Sequence, residues 1–445
     1  MNDIAWDFSN EDETFSLFNS EINLIFRDIC FNKISSRKVA VAVSGGSDSL
    51  SLLILLNNWA VCNNFSLTCI TVDHKLRNES YEEAIFVRDF CDKIGVKHII
   101  LEWKKDNAAV AHGKIEDLAR SARYTLMSDY CERESINIIA VGHTWNDQLE
   151  TFEMRKNSQS TEFGLAGMSR VHSISKNVKV IRPIMIFTRD HLQKFLIHKK
   201  ILWKNDPMND DSRFKRVFYR KNIFSLDRKE LINKSSEIKL FGKKRRDIEK
   251  QAVCFLRENI IPETIKFGYM VFDSAKFLNE EDEIQAEILK RTIWNIGGKK
   301  YAPKIDKITL KNIIELKKIK TLGRCLLKVT KKRIAIFREN RNLGQKILVD
   351  QNGTFLFDNR FLVSIKDGKF HDELTKCVIS SCKGFENTYD KSNLSELPHE
   401  VVCSLPCVFI NDKLVFKYGS KNNNFEKASI ECEFVHKVNL FDIFL

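Results

Sequence analysis

Val39-Ala40-Val41-Ala42-Val43-Ser44-Gly45-Gly46-Ser47-Asp48-Ser49-Leu50 sets the architecture of this chain. The five small and β-branched residues Val39–Val43 suit a short strand buried on both faces of a parallel sheet. Ser44–Ser49 turns the chain, and Leu50 through Leu56 reads as a helix. Strand, glycine turn and helix together aim backbone N–H groups and a positive dipole end at an anion. Gly45 and Gly46 allow a phosphate to approach the backbone, and Ser44, Ser47 and Ser49 add donors. Asp48 is placed to hold the magnesium that accompanies a nucleotide. An ordinary Ser/Gly turn is the bland alternative. The G-x-x-x-x-G-K-[ST] spacing of a P-loop is missing, so any nucleotide is held by a different turn.

Outward from this turn, strands and helices alternate. Strands are expected at Ser66–Val72, Lys97–Leu101 and Ile136–Val141, and helices at Phe15–Phe31, Glu79–Ile94, Lys114–Arg133, Asn146–Arg155 and Arg189–Lys200. That order predicts an α/β, doubly wound parallel sheet. Such sheets bind ligands outside the carboxyl ends of their strands, where Ser44, Asp73 and His143 would meet. From about Ile223 to Lys320 the pattern looks helical and basic. After Thr321 it turns β-rich, with Asn352-Gly353 and Asn411-Asp412 as hairpin signals. The expected domains are therefore 1–222, a catalytic domain; 223–320, helical and basic; and 321–445, a small β-rich α+β domain.

The composition is globular and basic, with 72 Lys+Arg against 59 Asp+Glu and a net charge of +13 over 445 residues. A polyanionic partner accounts for that excess, although a solvated surface does so nearly as well. The 12 cysteines form no C-x-x-C pair and read as reduced thiols of a cytoplasmic protein. The acidic opening lacks a signal-peptide pattern, and no apolar run reaches the ~20 residues that span a bilayer. Oligomeric state is left open, with a homodimer as one expectation.

Two further motifs carry chemistry. Val72-Asp73-His74-Lys75-Leu76-Arg77 puts Asp73 and His74 after the second strand, where a carboxylate can reach a ribose or a metal. Gly142-His143-Thr144-Trp145-Asn146-Asp147-Gln148-Leu149-Glu150-Thr151 opens a helix with Asp147 and Glu150 on one face. Two acids in a first turn suit the helix dipole, which is the purely structural reading. Read functionally, they bind a cation.

These motifs occur in one order with Glu116, Ala119, Arg120, Arg123 and Tyr124, with Gly164-Leu165-Ala166-Gly167-Met168, and with Arg182-Pro183. The set resembles the tRNA(Ile)-lysidine synthetases, a family of PP-loop ATP pyrophosphatases. The resemblance is strong over the first half and looser through Asp206–Asn209, Arg220–Ile223 and the Asn411-Asp412 hairpin. It departs at Thr144 and Asn146, where the family often has a second histidine and aspartate, and at Lys156–Phe163, which lacks glycines.

The resemblance implies ATP-dependent ligation of free L-lysine to the wobble cytidine of tRNA(Ile) with a CAU anticodon, through an adenylated cytidine. ATP would sit at Ser44, Gly45, Gly46, Ser47, Asp48 and Ser49, with Asp73 and His74 nearby and Mg2+ on Asp48. Asp147 and Glu150 would hold the lysine ammonium, and Arg123 would steady phosphate or the substrate carboxylate. Arg182, Arg216, Arg220, Lys244 and Arg245 are expected at the tRNA, with a surface or strand-end role as the alternative for each. A PP-loop tRNA thiolase and a catalytically silent tRNA-binding protein are the competing readings. The thiolase wants cysteines near the crevice, and none is expected there.

Overall fold

The computed structural model describes residues 10–29, 36–75, 79–103, 115–175, 177–204, 218–220, 223, 227–299, 302–315, 320–366, 376–384, 396–419 and 429–435. They form two compact units, 1–247 and 248–443.

The first unit runs α1 (Glu11–Asp28), β1 (Lys38–Ala42), α2 (Ser47–Cys62), β2 (Ser66–Asp73), α3 (Glu79–Ile94), β3 (Lys97–Glu102), α4 (Ile115–Arg133), β4 (Ile138–Val141), α5 (Trp145–Asn157), α6 (Glu162–Leu165), β5 (Val171–Ser173), β6 (Lys179–Ile181) and α7 (Arg189–His198). The sheet order is β3-β2-β1-β4-β6-β5. All neighbours are parallel except β5 and β6. Successive side chains of a strand point to opposite faces, and the core divides accordingly. Val39, Val41, Ile138 and Ala140 face helices α1, α2, α3 and α7. Ala40, Ile139 and Val141 face Met127, Tyr130 and Cys131 of α4. Because β1 is central, its Val39, Ala40 and Val41 are wholly buried. The doubly wound sheet predicted from Val39–Val43 is present.

Helix α8 (Arg228–Asn259) contributes residues to both units. In the first, Ile238, Leu231 and Phe241 cover Trp145, Leu149 and Phe152 of α5. Lys234–Glu153 at 2.6 Å and Lys156–Glu237 at 3.6 Å flank that seam.

The second unit continues with α9 (Pro262–Ile265), β7 (Met270–Asp273), α10 (Ser274–Leu278), α11 (Asp282–Gly297), α12 (Lys307–Ile314), β8 (Thr321–Leu322), β9 (Cys325–Val329) and β10 (Arg333–Arg338). It ends with β11 (Ile347–Val349), β12 (Gly353–Phe357), β13 (Phe361–Lys366), β14 (Cys377–Ser381), α13 (His399–Ser404), β15 (Pro406–Ile410), β16 (Lys413–Lys417) and β17 (Ser429–Phe434). Three antiparallel sheets result, β7-β10-β9-β8, β11-β14-β15-β16 and β12-β13-β17.

The region 223–320 is not helical throughout, since β7 pairs with β10. Asn352-Gly353 joins no hairpin, because β11 pairs with β14 while β12 pairs with β13. The β12–β13 turn instead uses Asp358 and Asn359, at φ 48° and 55°. Asn411-Asp412 does turn β15 into β16, with both residues at positive φ (46° and 62°) as a two-residue hairpin requires. No described helix is long and apolar enough to cross a membrane.

Candidate active site

The sheet order puts β1 between β2 and β4, so the segments after these strands share one edge. After β1, Gly45 adopts φ +87°, a conformation that side chains resist. Gly46 caps α2 without a side-chain bond, leaving the N-terminal N–H groups of the helix uncapped by it. Ser49 Oγ donates to Gly46 O at 3.0 Å and accepts from the Ser44 N–H at 3.2 Å, tying the turn to the helix. After β4, Gly142 packs against this helix start. A Cβ there would lie 3.2 Å from Ser49 Cα.

Asp48 and Asp147 meet at one guanidinium. Arg189, the first residue of α7, donates from Nε to Asp48 Oδ2 at 3.0 Å, and its Nη2 lies 3.9 Å from Asp147 Oδ1. Its backbone N–H donates to Asn146 Oδ1 at 2.8 Å. Burial pushes the Asp48 carboxyl up, Arg189 opposes that, and Asp147 adds to the rise. For Arg189, burial is outweighed by Asp48 and Asp147, and its affinity for the proton rises. Asp147 also closes a capping box, as its Oδ2 accepts from the Thr144 N–H at 2.8 Å and the Thr144 hydroxyl at 3.0 Å. Asp147 thus uses Oδ2 for the cap, while its Oδ1 lies toward Arg189. Glu150 is 1% exposed. Its Oε1 accepts from Arg220 Nε at 2.8 Å, while Oε2 is buried with no hydrogen-bond partner.

A second, basic group lies at the ends of β2, β4 and β6. Asp73 Oδ1 accepts from the Lys75 N–H at 2.8 Å and the Ser80 hydroxyl at 2.6 Å, so this oxygen shapes the turn. Arg123 Nε donates to His74 Nε2 at 3.3 Å. Burial and then Arg123 push His74 down to about 4, keeping it neutral at physiological pH. Arg182 is 5% exposed and donates to His143 Nδ1 at 3.2 Å and Ser169 O at 2.8 Å. His143 therefore carries its proton on Nε2 when neutral.

Gln148, Arg155 and Arg245 hold the Gly164–Met168 loop, a role that the sequence does not suggest for any of them. Gln148 pairs with Met168 through both amide atoms, at 3.0 and 2.7 Å. Arg155 Nη1 donates to Gly164 O at 2.6 Å and Gly167 O at 2.9 Å. Arg245 is buried and donates to Gly167 O at 2.9 Å, so it braces this loop. Lys244 is exposed and pairs with Glu162 at 2.6 Å. Arg189 had a sequence signal. A cation in the first turn of a helix opposes the dipole, and so calls for nearby acids. Arg216 lies outside the described residues, as do Leu76, Arg77, Arg213, Phe214, Lys215 and Lys221.

Residues 18–226 match the PP-loop domain family ATP_bind_3. The tRNA(Ile)-lysidine synthase of Orientia tsutsugamushi (strain Boryong) is 30% identical over 421 residues, 89% of this chain and 93% of that protein. The enzyme of the same name from Wolbachia pipientis wMel is 29% identical over 436 residues, 95% of this chain and 99% of that one. A third, from Rickettsia prowazekii (strain Madrid E), is 29% identical over 391 residues, covering 85% and 88%. Similarity that runs through the catalytic sheet and on across the antiparallel sheets means that the chain belongs to the tRNA(Ile)-lysidine synthase family.

Proposed function

We propose that the chain joins the ε-amine of free L-lysine to the wobble cytidine of tRNA(Ile) bearing a CAU anticodon, with Asp147 and Glu150 receiving the ammonium. As a member of this family it is an ATP-using ligase that modifies tRNA(Ile). In the first step the cytidine 2-carbonyl oxygen attacks the α phosphate. A P–O bond to the base forms, and the bond to pyrophosphate breaks. The α2 N-terminus and the Ser44–Ser49 turn present fixed N–H donors to the charge that develops on the leaving pyrophosphate. One carboxylate beside a phosphate turn fits magnesium, which takes one or two protein carboxylates and fills its shell with phosphate oxygens and water. Asp48 would hold that ion, which neutralises phosphate charge when bound.

In the second step the lysine nitrogen attacks cytidine C2. A C–N bond forms, the C–O bond to AMP breaks, and the ammonium must first yield a proton to a carboxylate. Asp147 Oδ1 and Glu150 Oε2, the oxygens not committed to the cap or to Arg220, are the acceptors in this reading. Arg123 steadies phosphate or the substrate carboxylate on the basic side, and Arg182 there meets the tRNA. Arg216, Arg220 and Lys244 contact the tRNA, as do the regions 223–320 and 321–445. The observation that supports this most is the guanidinium shared by Asp48 and Asp147, which sets the phosphate turn and the ammonium acids one side chain apart.

The test is incubation with ATP, radiolabelled lysine and a transcript of tRNA(Ile) with a CAU anticodon. Label should enter the RNA only with ATP, and a transcript with uridine at the wobble position should take none. RNA that stays unlabelled under all conditions would overturn the reading.

A further inference from the structure

Arg189 is the one guanidinium among the described ion pairs that reaches both the phosphate-turn acid and an ammonium acid. Its anchorage is rigid. Its own N–H is held by Asn146, and Trp145 N donates to Phe187 O at 3.0 Å. Thr188 caps α7 by accepting from the His191 N–H at 3.2 Å. Leu192 O accepts from Ser51 Oγ at 3.3 Å, binding α7 to α2. The backbone at Arg189 is thus fixed against both acid-bearing helices, and only its side chain is free to change partners. That side chain is 23% exposed, against 17% for Asp48 and 12% for Asp147, so the trio is accessible from solvent.

We propose that Arg189 is a positioning residue of the ligation: a resident counter-ion that occupies Asp48 in the empty site, moves to Asp147 when metal–nucleotide arrives, and returns when pyrophosphate leaves. This rests on the reading of Asp48 as metal ligand and Asp147 as ammonium contact. A divalent ion and a guanidinium cannot share Asp48 Oδ2, because like charges at that separation repel strongly. Oδ1 of Asp48 already accepts from the Ser47 hydroxyl at 3.2 Å, which leaves Oδ2 as the stronger metal position. Displaced from it, the guanidinium has Asp147 Oδ1 less than 4 Å from its Nη2. While nucleotide is bound, Arg189 therefore blocks the oxygen that lysine needs. Once pyrophosphate departs with the metal, Asp48 draws the guanidinium back and Asp147 is released. Adenylation is thereby kept ahead of lysine entry.

The test measures binding in the full-length protein with Mn2+ and an ATP analogue whose α–β bridging oxygen is a methylene. Free Mn2+ is read by electron paramagnetic resonance, and lysine binding by equilibrium dialysis with radiolabelled lysine. In wild type, saturating Mn2+–analogue should weaken lysine binding by about tenfold, a usual size for coupling between sites. In Arg189→Gln the Mn2+–analogue should bind more tightly than in wild type, and lysine affinity should be the same with and without it. Arg189→Lys, which keeps the charge, should restore the antagonism in part. Weaker Mn2+–analogue binding in Arg189→Gln would overturn the proposal, because Arg189 would then be gripping phosphate. Equal lysine antagonism in both proteins would overturn it too. Asp48→Asn should lose the Mn2+ contribution. If it does not, the metal assignment falls, and the proposal with it.

Discussion

Glu150 is satisfied at one oxygen only, and this asymmetry makes it the more telling of the two acids. Burial raises its carboxyl, the Arg220 bond lowers it, and Asp147 raises it again, leaving it above the ordinary range. Glu150→Gln keeps an oxygen for Arg220 and removes the charge. A charge-assisted bond contributes ~1.5–3 kcal/mol, so lysine KM should rise by roughly 10- to 100-fold while ATP–pyrophosphate exchange with tRNA changes little. Steady-state kinetics on both half-reactions checks this, and equal losses in the two would remove Glu150 from the lysine site. In the second unit, the wholly buried Arg338 and Arg360 converge on Asp358 at 2.9 and 2.7 Å. Burial alone would raise that carboxyl, but Arg360 and Arg338 outweigh it and hold it below its ordinary 3.8. The stabilisation is therefore complete above that value and is lost as pH falls from there through the lower value that the folded state sets. Asp358→Ala leaves two buried cations and should cost ~3–5 kcal/mol, measured by denaturant unfolding at neutral pH.

The elements were legible to the extent that their residues carried the instruction themselves. Val39–Val43 and Glu79–Ile94 announced a buried strand and an amphipathic helix because burial imposes period on sequence. Met270–Asp273 did not, since its strand character comes from pairing with Arg333–Ile336, far along the chain. Asn352-Gly353 has the chemistry of a tight turn, yet its flanking strands belong to different sheets. The site follows the same rule. The acids could be named because they sit in local motifs, whereas their pairing with Arg189 and Arg220 could not, since those contacts join residues far apart in the chain. Within Lys243-Lys244-Arg245-Arg246, charge in the sequence does not separate a side chain that braces a loop from one that faces solvent. Arg245 faces inward onto the Gly167 carbonyl, where φ is +67° and a Cβ would lie 2.7 Å from Gln148 Oε1. Lys244 faces outward. Lys244→Ala should lower the slope of log affinity for tRNA against log salt by about one, with unchanged stability. Arg245→Ala should leave that slope alone and cost ~1.5–3 kcal/mol, the range for a bond from a charged donor. Salt-dependent filter binding and thermal unfolding separate the two, and a flattened slope in Arg245→Ala would restore it to the RNA face.

For the molecule as a whole, the sequence places the end of the catalytic domain at residue 222, whereas the first compact unit extends to Asp247. The difference lies in α8. Leu231, Ile238 and Phe241 close over Trp145, Leu149 and Phe152, on the helix that also carries Asp147 and Glu150. A fragment 1–222 would leave that apolar patch in water, while a fragment 1–247 keeps its cover. Each large apolar side chain buried contributes ~1.5–3 kcal/mol, so losing three should cost the shorter fragment about 4 kcal/mol or more. That is a large share of the 5–15 kcal/mol by which domains are stable. Fragment 1–247 should unfold cooperatively in urea and bind the Mn2+–analogue with near wild-type affinity, and fragment 1–222 should aggregate or unfold at markedly lower urea. The net charge of +13 bears on RNA affinity and leaves this comparison untouched, because both fragments retain the Ser44–Ser49 turn. If the two fragments prove equally stable, residues 223–247 are a lid on the first unit and no part of its core, and the boundary read from sequence is the physical one.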